Sequence, residues 1–224
     1  MGVVTRLACA LVVLMAAAAP KAPAQTDGVS PVIDNDRVTV RDITLIPGQP
    51  ASIERHNTDF VTIFLDGGKI HTVDSHGKSS VAVRRSGDVI FGVRGAEETE
   101  EVISPGPARL VVVELKDHPV PPLVNKSGYP NAFPRPGSKK VLDNGRVVAW
   151  DYTWKPGVAT RMHYHDKDVV LVYKEDGSIK STTPDGKSVV SDHKAGTVAF
   201  NKGDRTHFEE LVKGRESAII VELK

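Results

Sequence analysis

The chain has 224 residues, with 29 Lys and Arg against 28 Asp and Glu, and a single cysteine. A charge balance this even excludes the broadly basic surface that nucleic acid or an anionic membrane attracts. One thiol can form neither an internal disulfide nor a thiolate metal cage.

Residues 1–24 open the chain with one positive charge, Arg6, followed by the apolar run Leu7–Ala19 and then Ala22-Pro23-Ala24. Small residues at the −3 and −1 positions behind a short apolar run follow the order of a secretory signal peptide. The run is shorter than the ~20 residues that span a bilayer; the alternative is an uncleaved anchor. Cleavage after Ala24 removes Arg6, Lys21 and Cys9, leaving 27 basic residues (29 less 2) against 28 acidic ones, a net charge of −1. The expected product is soluble and periplasmic or secreted. It has neither nucleic acid nor membrane as a partner, and its core alone holds it together.

The rest of the chain repeats. Ile46-Pro47-Gly48 matches Lys155-Pro156-Gly157, and His56, Asp59, Gly68 and Ile70 match His165, Asp168, Gly177 and Ile179, all at an offset of 109. Gly87–Phe91 matches Gly196–Phe200, and the closing Val111–Lys116 matches Ile219–Lys224 at an offset of 108. Two copies of one domain, 31–118 and 141–224, are expected. Between them residues 119–140 are rich in proline, which removes donors and favours an extended linker. Tyr129 and Phe133 are expected to dock that linker on a domain. Asn125-Lys126-Ser127 has the form of a glycosylation sequon.

Each copy reads as strands. Val38–Val40, Phe60–Phe64, Leu110–Glu114, Val147–Trp150, Val169–Tyr173 and Ala218–Glu222 are rich in β-branched and aromatic residues. Turn signals such as Asp66-Gly67-Gly68, Pro184-Asp185-Gly186 and Asn201-Lys202-Gly203 separate them, and no stretch carries a helical period. Short strands with regular turns predict an all-β sandwich or barrel.

Candidate chemistry gathers in the second copy. In His163-Tyr164-His165 the two imidazoles share one face of a strand, about 7 Å apart along it, and Tyr164 points the other way. His207 is a third histidine that a barrel could bring alongside. Three neutral imidazoles suit Fe, Mn, Ni, Cu or Zn and leave coordination positions open. Asp168 and Glu209 are candidate general bases, Glu209 because it shares the face of His207 if the strand continues. Trp150, Tyr152 and Trp154 alternate on one face, as pocket lining or as core. His71, His76, His118 and His193 are read as surface residues.

These motifs resemble the cupin superfamily. Its first motif, G-x5-H-x-H-x3/4-E-x6-G, is matched in spacing by Gly157, His163, His165, Val170 and Gly177. Its second, G-x5-P-x-G-x2-H-x3-N, falls on Gly196, Lys202, Asp204, His207 and Leu211. The resemblance implies two jelly-roll β-barrels in tandem and one divalent transition metal held by His163, His165 and His207. Val170 at the glutamate position implies a three-histidine site, and Lys202 and Asp204 replace the motif's proline and glycine. In the first copy the matching residues are Glu54, His56, Val61 and Glu98. They form either a second site or a decayed one in which the carboxylates pair with Arg55, Arg94 or a lysine. The acidic run Glu97–Glu101 is read as a solvated turn. The function expected is an exported metal-binding bicupin. It would act on a small oxygenated molecule as a three-histidine dioxygenase or a Lewis-acid lyase or isomerase; the alternative is a non-catalytic cupin that binds a sugar, an organic acid or the metal. A homodimer through edge strands is a possible assembly.

Overall fold

Strand follows turn along the described chain, and the turns fall where glycine or aspartate permits them. A computed structural model describes residues 30–49, 54–118, 120 and 123–224; the expected signal peptide lies outside them. Among the described residues there are eighteen strands and no helix. The first half contributes β1 (Ile33–Asp34), β2 (Val38–Leu45), β3 (Glu54–Arg55), β4 (Asp59–Phe64), β5 (Gly68–Asp74), β6 (Ser79–Arg84), β7 (Val89–Gly92), β8 (Glu97–Val102) and β9 (Ala108–Leu115). The second contributes β10 (Lys139–Asp143), β11 (Val147–Trp154), β12 (His163–His165), β13 (Val169–Tyr173), β14 (Gly177–Thr182), β15 (Ser188–His193), β16 (Val198–Asn201), β17 (Arg205–Gly214) and β18 (Glu216–Leu223).

The repeat in the sequence is a repeat in topology. Each half pairs a five-stranded sheet with a four-stranded one: β1-β2-β9-β4-β7 with β3-β8-β5-β6, and β10-β11-β18-β13-β16 with β12-β17-β14-β15. All named strand pairs are antiparallel, the pattern of two jelly rolls in tandem. The expected barrels differ in one respect. The two sheets of each half share no ladder, so each is an open sandwich whose faces, not a closed hydrogen-bonded cylinder, enclose the interior. The acidic run Glu97–Glu101 is not a turn either; it lies in β8, paired with β5.

Strand alternation sorts the core into three. On β9, Leu110 and Val112 face the interior of the first half, while Val111, Val113 and Leu115 face outward. On β18, Ala218 and Ile220 face the second interior, while Ile219, Val221 and Leu223 face outward. Those two outward faces meet, with Val38, Val61, Val147 and Val170 among them, in one cluster. The five-stranded sheets are therefore packed back to back, which is why β18 is buried at every position. Arg37 to Asp168 and Arg146 to Asp59, both 2.9 Å, tie the halves at its rim.

The proline-rich connection is part of the second half. Ala132 N donates to Tyr164 O and Tyr164 N donates to Pro130 O, both at 2.8 Å, so this segment lies along the free edge of β12. Phe133 stacks on Trp150 with ring centroids 5.3 Å apart. Tyr129, expected to dock as well, is exposed. Asn125 is tied into the segment by Ser127, Tyr129 and Asn131.

Candidate metal centre

The site forms where the short strand β12 meets β17. Their antiparallel register sets His163 opposite His207 and His165 opposite Arg205. Because alternate residues share a face, three imidazoles converge inside the second half, with ring centroids 4.8 to 5.0 Å apart. One ligating nitrogen from each lies within 4.8 Å of the others, and all three side chains are buried. His163 Nδ1 donates to Arg161 O at 2.8 Å, which leaves the Nε2 lone pair facing the cluster, with Arg135 Nη1 at 3.5 Å. Both ring nitrogens of His165 and Nε2 of His207 have no hydrogen-bond partner.

Burial favours the neutral form of two of the rings. Desolvation pushes His163 down to about 4 and His165 well below the ordinary imidazole range. Unpartnered buried nitrogens cost roughly 1–3 kcal/mol each. A cluster of buried imidazoles in which ring nitrogens of His165 and His207 find no partner fits a bound cation, and among the described residues it is the one such group.

Glu209 lies on the same face of β17 as His207, as the continued strand requires. Its Oε2 accepts from Arg135 Nη1 and Trp154 Nε1, both at 3.0 Å, and Oε1 lies 3.6 Å from His207 Nε2. Burial raises its pKa, but the Arg135 charge and the neighbouring histidines overcome that and hold the carboxyl well below its usual range. Asp168, the other candidate base, does not face the histidines. It accepts from Arg37 and from Gly203 N at the boundary between the halves. Tyr164 turns away as expected, and its hydroxyl donates to Asp204 at 2.9 Å. Asp204 takes the left-handed conformation, φ 58°, at the position where the motif has glycine. Aspartate tolerates that region better than most side chains.

The residue in place of the motif glutamate needs correcting. Val170 points away from the histidines into the cluster between the halves. Val169, one residue earlier, lines the cavity with His165 and His207. The shorter of the two motif spacings therefore applies, and an apolar side chain still stands where the carboxylate would.

Three residues of the site were not singled out by their sequence. Arg135 arrives from the linker; its guanidinium lies 3.9 Å over the Tyr152 ring and 4.6 Å over Phe133, 3.5 Å from His163 Nε2. The aromatic stripe of β11 is thus both core and support for this arginine. Arg205 lines the same cavity, of about 290 Å³. So does His193, expected on the surface, which stacks on Tyr173 at 3.8 Å and pairs with the fully buried Glu216 at 2.6 Å. The internal repeat could not reveal Arg135, because it lies outside both copies.

The first half has no comparable centre among the described residues. His56 stacks on Phe60 at 3.6 Å, Arg55 pairs with Glu97 at 2.8 Å, and Arg94 pairs with Asp117. Glu54 lies opposite Glu98 in the ladder.

No family model matches the sequence, and no curated protein matches it by sequence. Solved structures do resemble it. A cupin 2 conserved barrel domain protein from Leptotrichia buccalis has a TM-score of 0.53 at 13% identity, over 87% of each chain. Oxalate decarboxylase of Bacillus subtilis, a protein with Mn(II) centres, has a TM-score of 0.59 at 13% identity, over 84% of this chain and 69% of that one.

Proposed function

Taking as premise that the chain has the fold of a bicupin, we propose that its second half is a metal-dependent enzyme site for a small oxygenated molecule. The observation that carries this is the convergence of the buried His163, His165 and His207, with ring nitrogens of His165 and His207 unpartnered. These three residues would hold one divalent transition metal, Fe, Mn, Ni, Cu or Zn. Such a metal supplies Lewis acidity, or oxygen activation if it is iron.

The chain's own residues do the rest. The sandwich interior and the linker segment shield the site from water. Arg135 and the Trp154 indole fix Glu209 beside His207. A carboxylate held this far below neutrality is a weak proton acceptor. The arrangement supports Glu209 less as a general base than as the negative charge that Val169 does not provide. Asp168, committed to Arg37 and Gly203, has no part in the site.

Metal analysis of the purified protein tests the reading. One equivalent of a transition metal is expected, lost in His163→Ala and His207→Ala variants that still fold. A wild-type protein that takes up no metal from any of the five refutes it. Export belongs to the same proposal: expressed with residues 1–24 in a bacterial host, the protein should reach the periplasm or medium with a mass that begins at Gln25.

A further inference from the structure

We infer that the cavity beside the histidines takes a small monocarboxylate with an apolar body, and that Arg205 receives its carboxylate. The inference rests on the metal-centre reading and adds the substrate class to it.

A census of charge in the cavity leads there. Arg135 is neutralised by Glu209, and His193 pairs with Glu216. Arg205 alone makes no ion pair among the described residues; its Nε donates to Lys202 O at 2.6 Å, and the guanidinium lines the cavity. A divalent metal on the histidines would add positive charge beside it. The cavity is thus short of one negative charge, and a guanidinium is the group that binds a carboxylate through two parallel hydrogen bonds.

Position fixes the rest of the molecule. Arg205 lies opposite His165 across β12 and β17 and shares a face with His207 and Glu209. A carboxylate at Arg205 sets its neighbouring hydroxyl or keto oxygen against the histidines. Beyond them the wall carries five aliphatic side chains, Val169, Leu171, Ile179, Ala199 and Ile220, with Ser181, Ser191 and Asn201 among the lining. A sugar ring would leave hydroxyls unpaired against the five aliphatic side chains. A second carboxylate would meet Glu209 and no free cation. About 290 Å³ suits a ligand at the small end of known pockets.

Calorimetric titration tests the pairing, with 2-hydroxy-3-methylbutanoate, its uncharged amide and a neutral polyol of similar size as probes. Both metal-loaded and metal-free protein are titrated. The acid should bind about tenfold or more tightly than the amide, as a charge-assisted pair requires. Arg205→Gln should abolish that preference while metal content stays unchanged, and Arg205→Lys should retain part of it. Equal binding of acid and amide, a preference that survives Arg205→Gln, tighter binding of the polyol, or failure of every acid from acetate to phenylacetate to bind overturns the proposal. Metal-loaded protein that shows no preference for the acid refutes this inference and leaves the metal centre standing. Protein that holds no metal yet prefers the acid through Arg205 refutes the centre and leaves the carboxylate site.

Discussion

Arg135 and Glu209 are the two residues whose removal should be felt most sharply in the second half. Both are largely buried, with side-chain exposures of 9% and 13%, and joined at 3.0 Å. Removing one member of such a pair strands the other charge in a poor dielectric, at a cost of about 3 kcal/mol or more. Arg135→Met is therefore expected to lower the urea midpoint strongly. The double variant Arg135→Met/Glu209→Gln should recover much of the loss, because it removes both charges and leaves the Trp154 indole a neutral acceptor. Strictly additive losses in that cycle would mean that the two residues act separately. The pair also shows where sequence reading stops. Glu209 was legible, because a strand that places His207 inward places the residue two further on inward as well. Arg135 was not, because nothing in a proline-rich segment says which side chain turns in, or toward what.

Periodicity was a reliable guide within a strand and an unreliable one across a loop. The spacing His163-x-His165 set two histidines on one face because both lie on β12. Counting onward from His165 to Val170 crosses residues 166–168, where the chain leaves the four-stranded sheet and enters the five-stranded one. Alternation does not survive that change, and so Val169 rather than Val170 faces the histidines. The turn at residues 201–204 shows the opposite. Its departures from the motif were visible in sequence, and the structure shows how they are accommodated: Asp204 N donates to His165 O at 2.8 Å, and its carboxylate receives the Tyr164 hydroxyl. A non-glycine residue in the left-handed region costs about 1 kcal/mol, and a hydrogen bond contributes about as much. Asp204→Gly should thus leave the melting temperature nearly unchanged, since relief of strain offsets the lost bond. Asp204→Ala keeps the strain and loses the bond, and should cost about 1–2 kcal/mol. If Gly and Ala prove equally costly by thermal unfolding, backbone strain at this turn is not what the aspartate accommodates.

At the scale of the molecule, the question is whether the half without the histidine trio does anything for the half that has it. The repeat predicted two domains, and in the structure the continuous Val and Ile runs Val111–Val113 and Ile219–Val221 are covered on both faces. What no pattern could say is that each covers the other. The back-to-back cluster joins Val38, Val61, Val111 and Val113 to Val147, Val170, Ile219 and Val221 without a solvated layer between them. Separating the halves would expose that face on both, so they are expected to unfold together. The protein provides its own reporter, since both of its tryptophans, Trp150 and Trp154, lie in the second half. Val113→Asp places a carboxylate in the first half's side of the cluster, where burial of an unpaired charge costs several kcal/mol. If the halves form one cooperative unit, this change must shift the tryptophan fluorescence transition to lower urea by the full loss, although no tryptophan shares its chain segment. A transition that stays where the wild type has it would show that the second half folds alone. In that case β9 and its neighbours would serve some purpose other than to support the strands that carry the histidines.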